Sequence, residues 1–190
     1  MSSTPWRLLA GTILMLGLPW PATNSALAQQ SGLWDRVRKG GYVLLIRDTG
    51  IPVAVPAGSS GGGGCTPDRN LTGTGRDLAQ RLGDVFREHG IPVSRVLSSP
   101  GCSSVETAQI AFGRTETWTQ ADPEGDPRIW RARSAYALTS LTPADANLVI
   151  VTGKLVISDL TDNSVSAGDV LVLRPSGEQL DVQGLLSAAP

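Results

Sequence analysis

The 190-residue chain has one histidine, two cysteines and only 5% aromatic residues. A single histidine excludes, by count alone, any mechanism that needs two imidazoles and any histidine-rich metal site. Two cysteines cannot build a thiolate cluster or a framework of several disulfides. Charge of one sign is missing too: 16 basic against 17 acidic residues leave a net charge of −1, so the electrostatic footprint of a nucleic-acid binder is absent. No apolar run reaches the about 20 residues of a membrane span, so no stable span is expected in a mature chain. What is present is a 41% hydrophobic fraction. That is too much for a disordered chain, and at this length it supports one domain with a real core.

Residues 1–28 read as targeting rather than fold. Arg7 gives a short positive start, Leu8 to Leu18 form an apolar stretch, and Pro19 and Pro21 break it before Ala26-Leu27-Ala28. Small residues flanking one position are what signal peptidase cleaves. The expectation is a signal peptide, with residues 29–190 as a single exported domain, periplasmic or secreted. No cysteine follows Ala28 to accept a lipid. Export places Cys65 and Cys102 in an oxidising compartment, where a Cys65–Cys102 disulfide is expected; two separate thiols are the alternative.

Along the rest of the chain, Leu33 to Lys39 reads as a helix stopped by Gly40-Gly41. Tyr42 to Ile46 is an unbroken apolar run with β-branched members, as in a buried central strand, and it delivers Arg47-Asp48-Thr49-Gly50 at its carboxyl end. Residues 51–68 are a Pro-, Gly- and Ser-rich loop containing Gly61 to Gly64. Thr72 reads as an N-cap for a helix whose Leu78, Ala79, Leu82, Val85 and Phe86 share a face, ending at Gly90. Val93 to Leu97 reads as a strand, and Ser103 with Glu106 as a capping box opening a helix through Phe112. Asp122, Glu124 and Asp126 fall in an exposed acidic loop. Ile129, Trp130, Leu138 and Leu141 mark a further helix, Asn147 to Thr152 a third strand, and Val170–Leu173 and Leu180–Leu185 two final strands. This order implies a mixed α/β sandwich.

Four landmarks, in this order, resemble the histidine phosphatase superfamily. Gly41 to Arg47 is similar to the strand entering that family's Arg-His-Gly motif. Arg69-Asn70-Leu71-Thr72 with Gly75 is similar to its Asn-Leu-Thr helix start. Ser98-Ser99-Pro100 with Glu106-Thr107-Ala108 resembles its Ser-Ser-Pro and Glu-Thr-Ala segment, and Asn147 to Thr152 the strand before its second histidine. The resemblance is to short exported members. It implies a phosphoglycerate-mutase-like three-layer α/β/α sandwich with a mixed, mostly parallel sheet. In that family a histidine carries the phosphoryl group, two arginines and a second histidine hold its oxygens, and no cofactor or metal is needed. Such a cation set neutralises the charge spread over a transferred phosphoryl group.

Here the matching positions differ. Arg47 is kept and is the expected phosphate-binding residue, with Lys154 able to add a second cation. Asp48 stands at the nucleophile position, Ser103 at the second arginine and Gly153 at the second histidine. Arg47 and Asp48 sum to zero charge, so an entering phosphate meets a like charge. His89, at a helix end, reads as a cation favoured by the helix dipole. Asp48 reads structurally as a partner of Arg47 or as the cap of a Thr49-Gly50 turn, and Ser103 as a helix cap. Neither cysteine has an arginine six residues on, those positions being Ala108 and Leu71, and Leu155 stands where a P-loop needs Ser or Thr. The expectation is a catalytically impaired pseudophosphatase that binds a phosphorylated small molecule or anion weakly. The alternatives are a phosphomonoester hydrolase using Asp48 or a water, a structural or partner-binding envelope protein, and a decayed sequence.

Overall fold

In a computed structural model the described residues are 23–50, 70–118, 120 and 126–187, with side chains from Gln30 onward. Five helices and six strands follow one another as α1 (Thr23–Val37), β1 (Val43–Arg47), α2 (Gly73–Glu88), β2 (Val93–Ser98), α3 (Cys102–Phe112), β3 (Glu116–Thr117), α4 (Pro127–Leu141), β4 (Asn147–Thr152), α5 (Lys154–Thr161), β5 (Val170–Ser176) and β6 (Gln179–Leu186). The strands form one sheet in the order β3-β2-β4-β1-β5-β6. β3, β2, β4 and β1 run parallel, and β5 is antiparallel to both neighbours.

The central strands are apolar on both faces because helices cover both. Leu44, Ile46, Val149 and Val151 pack with Trp34, Leu82, Phe86 and Ala108 from α1, α2 and α3. The alternate residues Val43, Leu45, Leu148 and Ile150 pack with Trp130, Leu138, Ile157 and Leu160 from α4 and α5. Side chains alternate across a strand, so a continuous apolar run fills two cores at once. Each fully buried aliphatic side chain contributes about 1.5–3 kcal/mol relative to exposure. The result is a three-layer α/β/α sandwich with a mixed, mostly parallel sheet.

The expected elements are present, with differences at their edges. α1 begins at Thr23 and so continues across Ala28. Thr72 caps α2, its hydroxyl accepting from the Gly75 N–H at 3.2 Å. Two elements were not expected. β3 has two residues, too few for any alternation to register. α5 is eight residues long, and its Leu155 is 76% exposed, which breaks the apolar stripe formed by Ile157 and Leu160. Of the residues that mark α4, Ile129 is 60% exposed, and Trp130 beside it faces the core.

Candidate functional site

The topology places a crevice at the carboxyl ends of β1 and β4. The chain leaves β1 through α2 toward β2 on one side, and leaves β4 through α5 toward β5 on the other. Loops that depart in opposite directions leave a gap between them, where open α/β sheets bind ligands. Around that gap three strands end side by side. The Asp48 N–H donates to the Thr152 carbonyl at 2.9 Å and the Ser99 N–H to the Val151 carbonyl at 3.0 Å. Ser99 and Thr152 join through their hydroxyls at 2.5 Å, both buried.

Asp48 is the centre of this arrangement. It is 8% exposed, and its Oδ2 accepts from the Ser103 and Ser104 hydroxyls, each at 2.9 Å. The Gly50 N–H also donates to its carboxylate, so the cap of the Thr49-Gly50 turn is the structural role found. Thr49 ties the turn to α3, donating from its N–H to Thr107 Oγ1 at 3.1 Å. The packing leaves no room for side chains: a Cβ on Gly50 would lie 2.8 Å from Ser103 Cβ, and one on Gly75 2.8 Å from the Thr49 carbonyl oxygen. Glu106 latches α2 to α3, accepting from the Leu71 N–H at 2.8 Å and from Arg76 Nε at 2.6 Å.

Burial pushes the Asp48 carboxyl above its ordinary range. The Ser104 hydroxyl, then the Ser103 hydroxyl, the Gly50 N–H and the Arg47 charge pull it back, and burial outweighs them. Removal from water penalises the ionised form, and hydrogen bonds donated to it compensate in part. Chemically this is a carboxylate fixed in place by donors on one oxygen. A second anion placed beside it is repelled.

The positions expected to form the site converge in part. A Cβ on Gly153 would lie 4.0 Å from Asp48 Oδ2, so positions 48 and 153 face each other, and Ser103 joins them directly. Arg47 is half-buried, and its Nη1 donates to the Val165 carbonyl at 2.9 Å. Lys154, the first residue of α5, is exposed. Asp126 caps α4, accepting from the Arg128 N–H at 2.8 Å. Asp122, Glu124, Cys65 and the Gly61–Gly64 run lie outside the described residues, and so does the Cys65–Cys102 pairing as a whole. His89 lies at the opposite end of the fold, stacked on Trp34 with ring centroids 4.2 Å apart and planes 4° from parallel.

One expectation is corrected. Ser103 and Glu106 do not form a capping box, because α3 starts two residues earlier than that box requires, with Gly101 as N-cap and no side-chain cap bond. Ser103 gives its hydroxyl to Asp48 and Glu106 its carboxylate to α2. Longer-range partners outcompeted the local ones. Ser104 is a site residue the sequence reading missed; its only signal was a second hydroxyl beside Ser103, in the helix turn that meets the end of a strand. Among the described residues, no three His, Cys, Asp or Glu side chains gather as a metal site would require.

No protein-family model matches the sequence, and no curated protein sequence does. Solved structures do match. The protein histidine phosphatase SixA, solved with tungstate, superposes with a TM-score of 0.59 at 15% identity, covering 77% of this chain and 97% of that one. A protein from Escherichia coli K-12, provisionally described as an alpha-ribazole-5′-P phosphatase, gives 0.60 at 17% identity, covering 79% and 98%. Phosphoserine phosphatase from Entamoeba histolytica with 3-phosphoglyceric acid gives 0.53 at 14%, covering 77% and 96%. The fold is phosphoglycerate-mutase-like. At these identities the likeness establishes architecture, and nearly the whole of each neighbour is spanned. The likeness leaves the chemistry of the crevice to the residues found there.

Proposed function

We propose that this chain is an exported member of the histidine phosphatase superfamily that no longer transfers phosphoryl groups, a pseudophosphatase with weak residual affinity for phosphate-class anions. The observation that carries the reading is the buried Asp48 carboxylate at the nucleophile position, its Oδ2 held by Ser103 and Ser104. A carboxylate so held brings negative charge to where phosphoryl transfer concentrates it, and transfer depends on neutralising that charge. Arg47 supplies the remaining affinity for anions. That two of the solved neighbours hold tungstate or a phosphorylated acid supports the class of ligand.

The charged start, apolar stretch and Ala26-Leu27-Ala28 motif support export. In an oxidising compartment a Cys65–Cys102 bond would stabilise by about 2–4 kcal/mol. A second reading, hydrolysis through an Asp48 acyl-phosphate, is favoured by one observation, the orientation of Oδ2 toward position 153. Against it, the carboxylate is already committed to its hydroxyl donors.

The test is turnover of p-nitrophenyl phosphate by the mature protein from acidic to alkaline pH, with and without Mg²⁺. The expected outcome is hydrolysis no faster than buffer, unchanged in Asp48→Ala. Turnover well above buffer that Asp48→Ala abolishes would establish the second reading in its place.

A further inference from the structure

β6 is an edge strand of the sheet, and its two faces are covered unequally. On one face α1 approaches so closely that a Cβ on Gly184 would lie 2.8 Å from Leu33 Cδ2. On the other face Val182 and Leu185 stand opposite Leu173 and Leu171 of β5, which pack in the core beneath α4 and α5. Opposite residues of an antiparallel pair share a face, so Val182 and Leu185 point to the α4 and α5 side. No helix among the described residues reaches over them, and they stay 44% and 46% exposed. An apolar sheet face is stable when another element covers it.

Beside this step α4 forms a ridge. Its Trp130, Ser134, Ala135 and Leu138 are buried against the sheet, and Ile129, Arg133 and Tyr136, spaced i, i+4 and i+7, lie exposed on the opposite face. Thr139 ties the ridge to the β5–β6 turn, its hydroxyl donating to the Gly177 carbonyl at 2.9 Å. Leu155, at the start of α5, is exposed in the same layer. Among the described residues, every large hydrophobic side chain left exposed is thus on the α4 and α5 side, and none is on the side of α1, α2 and α3. A single exposed leucine is ordinary, whereas a one-sided set marks an interaction surface. Charge divides between ridge and step as well. α4 carries Arg128, Arg131 and Arg133 and no acid, and among the described residues only Arg131 of these is ion-paired, with Asp162. Glu178 stands exposed in the turn at the end of the step.

We propose that this side is a self-association surface occupied by a second copy of the chain, the α4 ridge of each protomer lying on the β6 step of the other. Ile129 and Tyr136 then cover Val182 and Leu185, and Arg133 comes within reach of Glu178 on the other copy. A second copy fits because ridge and step complement each other in relief, in apolar surface and in charge, and one molecule carries both. A two-fold axis satisfies the two contacts at once. The proposal is independent of the chemistry of the Asp48 crevice.

The experiment is sedimentation velocity on the mature protein over a concentration series reaching about 1 mM, a range that includes weak interfaces of modest area. A monomer–dimer equilibrium is expected. Tyr136→Glu on the ridge and Val182→Glu on the step are each expected to raise the dimer dissociation constant about tenfold or more, the scale of an interface anchor lost. Arg133→Glu and Glu178→Arg are each expected to weaken the dimer about threefold, two rim pairs being lost together by symmetry. The double variant, with the charges exchanged, is expected to recover wild-type affinity. Circular dichroism checks that each variant is folded. A protein that stays monomeric throughout, a dimer indifferent to Tyr136→Glu and Val182→Glu, or a double variant weaker than both single ones would each overturn the proposal. So would a monomer that binds phosphatidylglycerol vesicles and loses them in Tyr136→Glu, since the surface would then be a lipid contact.

Discussion

At the amino ends of the central strands Asn147 is fully buried, and its amide is spent on backbone. Its Oδ1 accepts from the Tyr42 N–H at 3.2 Å, and its Nδ2 donates to the Val37 and Pro92 carbonyls, each at 2.9 Å. At the carboxyl ends Asp48 is almost as buried, and it too is supplied with donors. The difference is charge. A neutral amide with every partner in place carries little penalty and joins α1, β1 and the entry to β2. An ionised carboxylate in the same degree of burial keeps a desolvation cost that hydroxyls offset only in part. One end of the sheet is pinned by a satisfied neutral amide; the other holds a carboxyl whose ionisation its burial opposes.

The largest expected effect comes from removing the neutral pin. Asn147→Ala leaves the buried Tyr42 N–H without its acceptor and takes one of two donors from the Val37 and Pro92 carbonyls. At about 1–3 kcal/mol for a buried group left unsatisfied, a loss of about 3 kcal/mol is expected in urea unfolding. A loss below about 1 kcal/mol would show that water replaces the amide and that the two ends are less different than their burial implies.

A smaller effect with a distinctive pH dependence is expected at Asp48. Its folded-state pKa is raised above the ordinary value of 3.8. Between the unfolded and folded values the native state binds more protons than the unfolded one, so stability falls as pH rises through that window. Below 3.8 the cost is absent, and above the folded value it is complete. Asp48→Asn cannot ionise. Measured against wild type, its stability is expected to improve as pH rises through the window. A difference that stays flat with pH would mean that the hydroxyls and Arg47 fully compensate the burial.

The same contrast explains what was legible in the sequence. Asn147 to Thr152 and the run into Arg47 announce themselves, because a strand covered on both faces has no reason to alternate. The crevice was legible as a place, because the apolar runs of β1 and β4 deliver residues 48 and 153 to one edge of the sheet, and these lie close together with Ser103. Its bonding was not. The Ser103-Glu106 spacing encodes a local capping box, and nothing local says that a carboxylate from β1 and a helix start at Leu71 compete for those groups. Asn147 likewise read as a strand residue, because its three partners come from distant parts of the chain. α5 stayed hidden because eight residues with one exposed leucine hold too few turns to show a period.

The buried negative charge at position 48 is tested most directly by tungstate titration followed through the melting temperature, in wild type and Asp48→Asn side by side. A ligand that binds only the folded state raises the melting temperature in proportion to its affinity. With the carboxylate in place, wild type is expected to shift little, and Asp48→Asn, which keeps the Ser103, Ser104 and Arg47 donors while removing the like charge, to shift more at the same tungstate concentration. A wild-type shift equal to or larger than that of the Asn variant would contradict a crevice governed by Asp48.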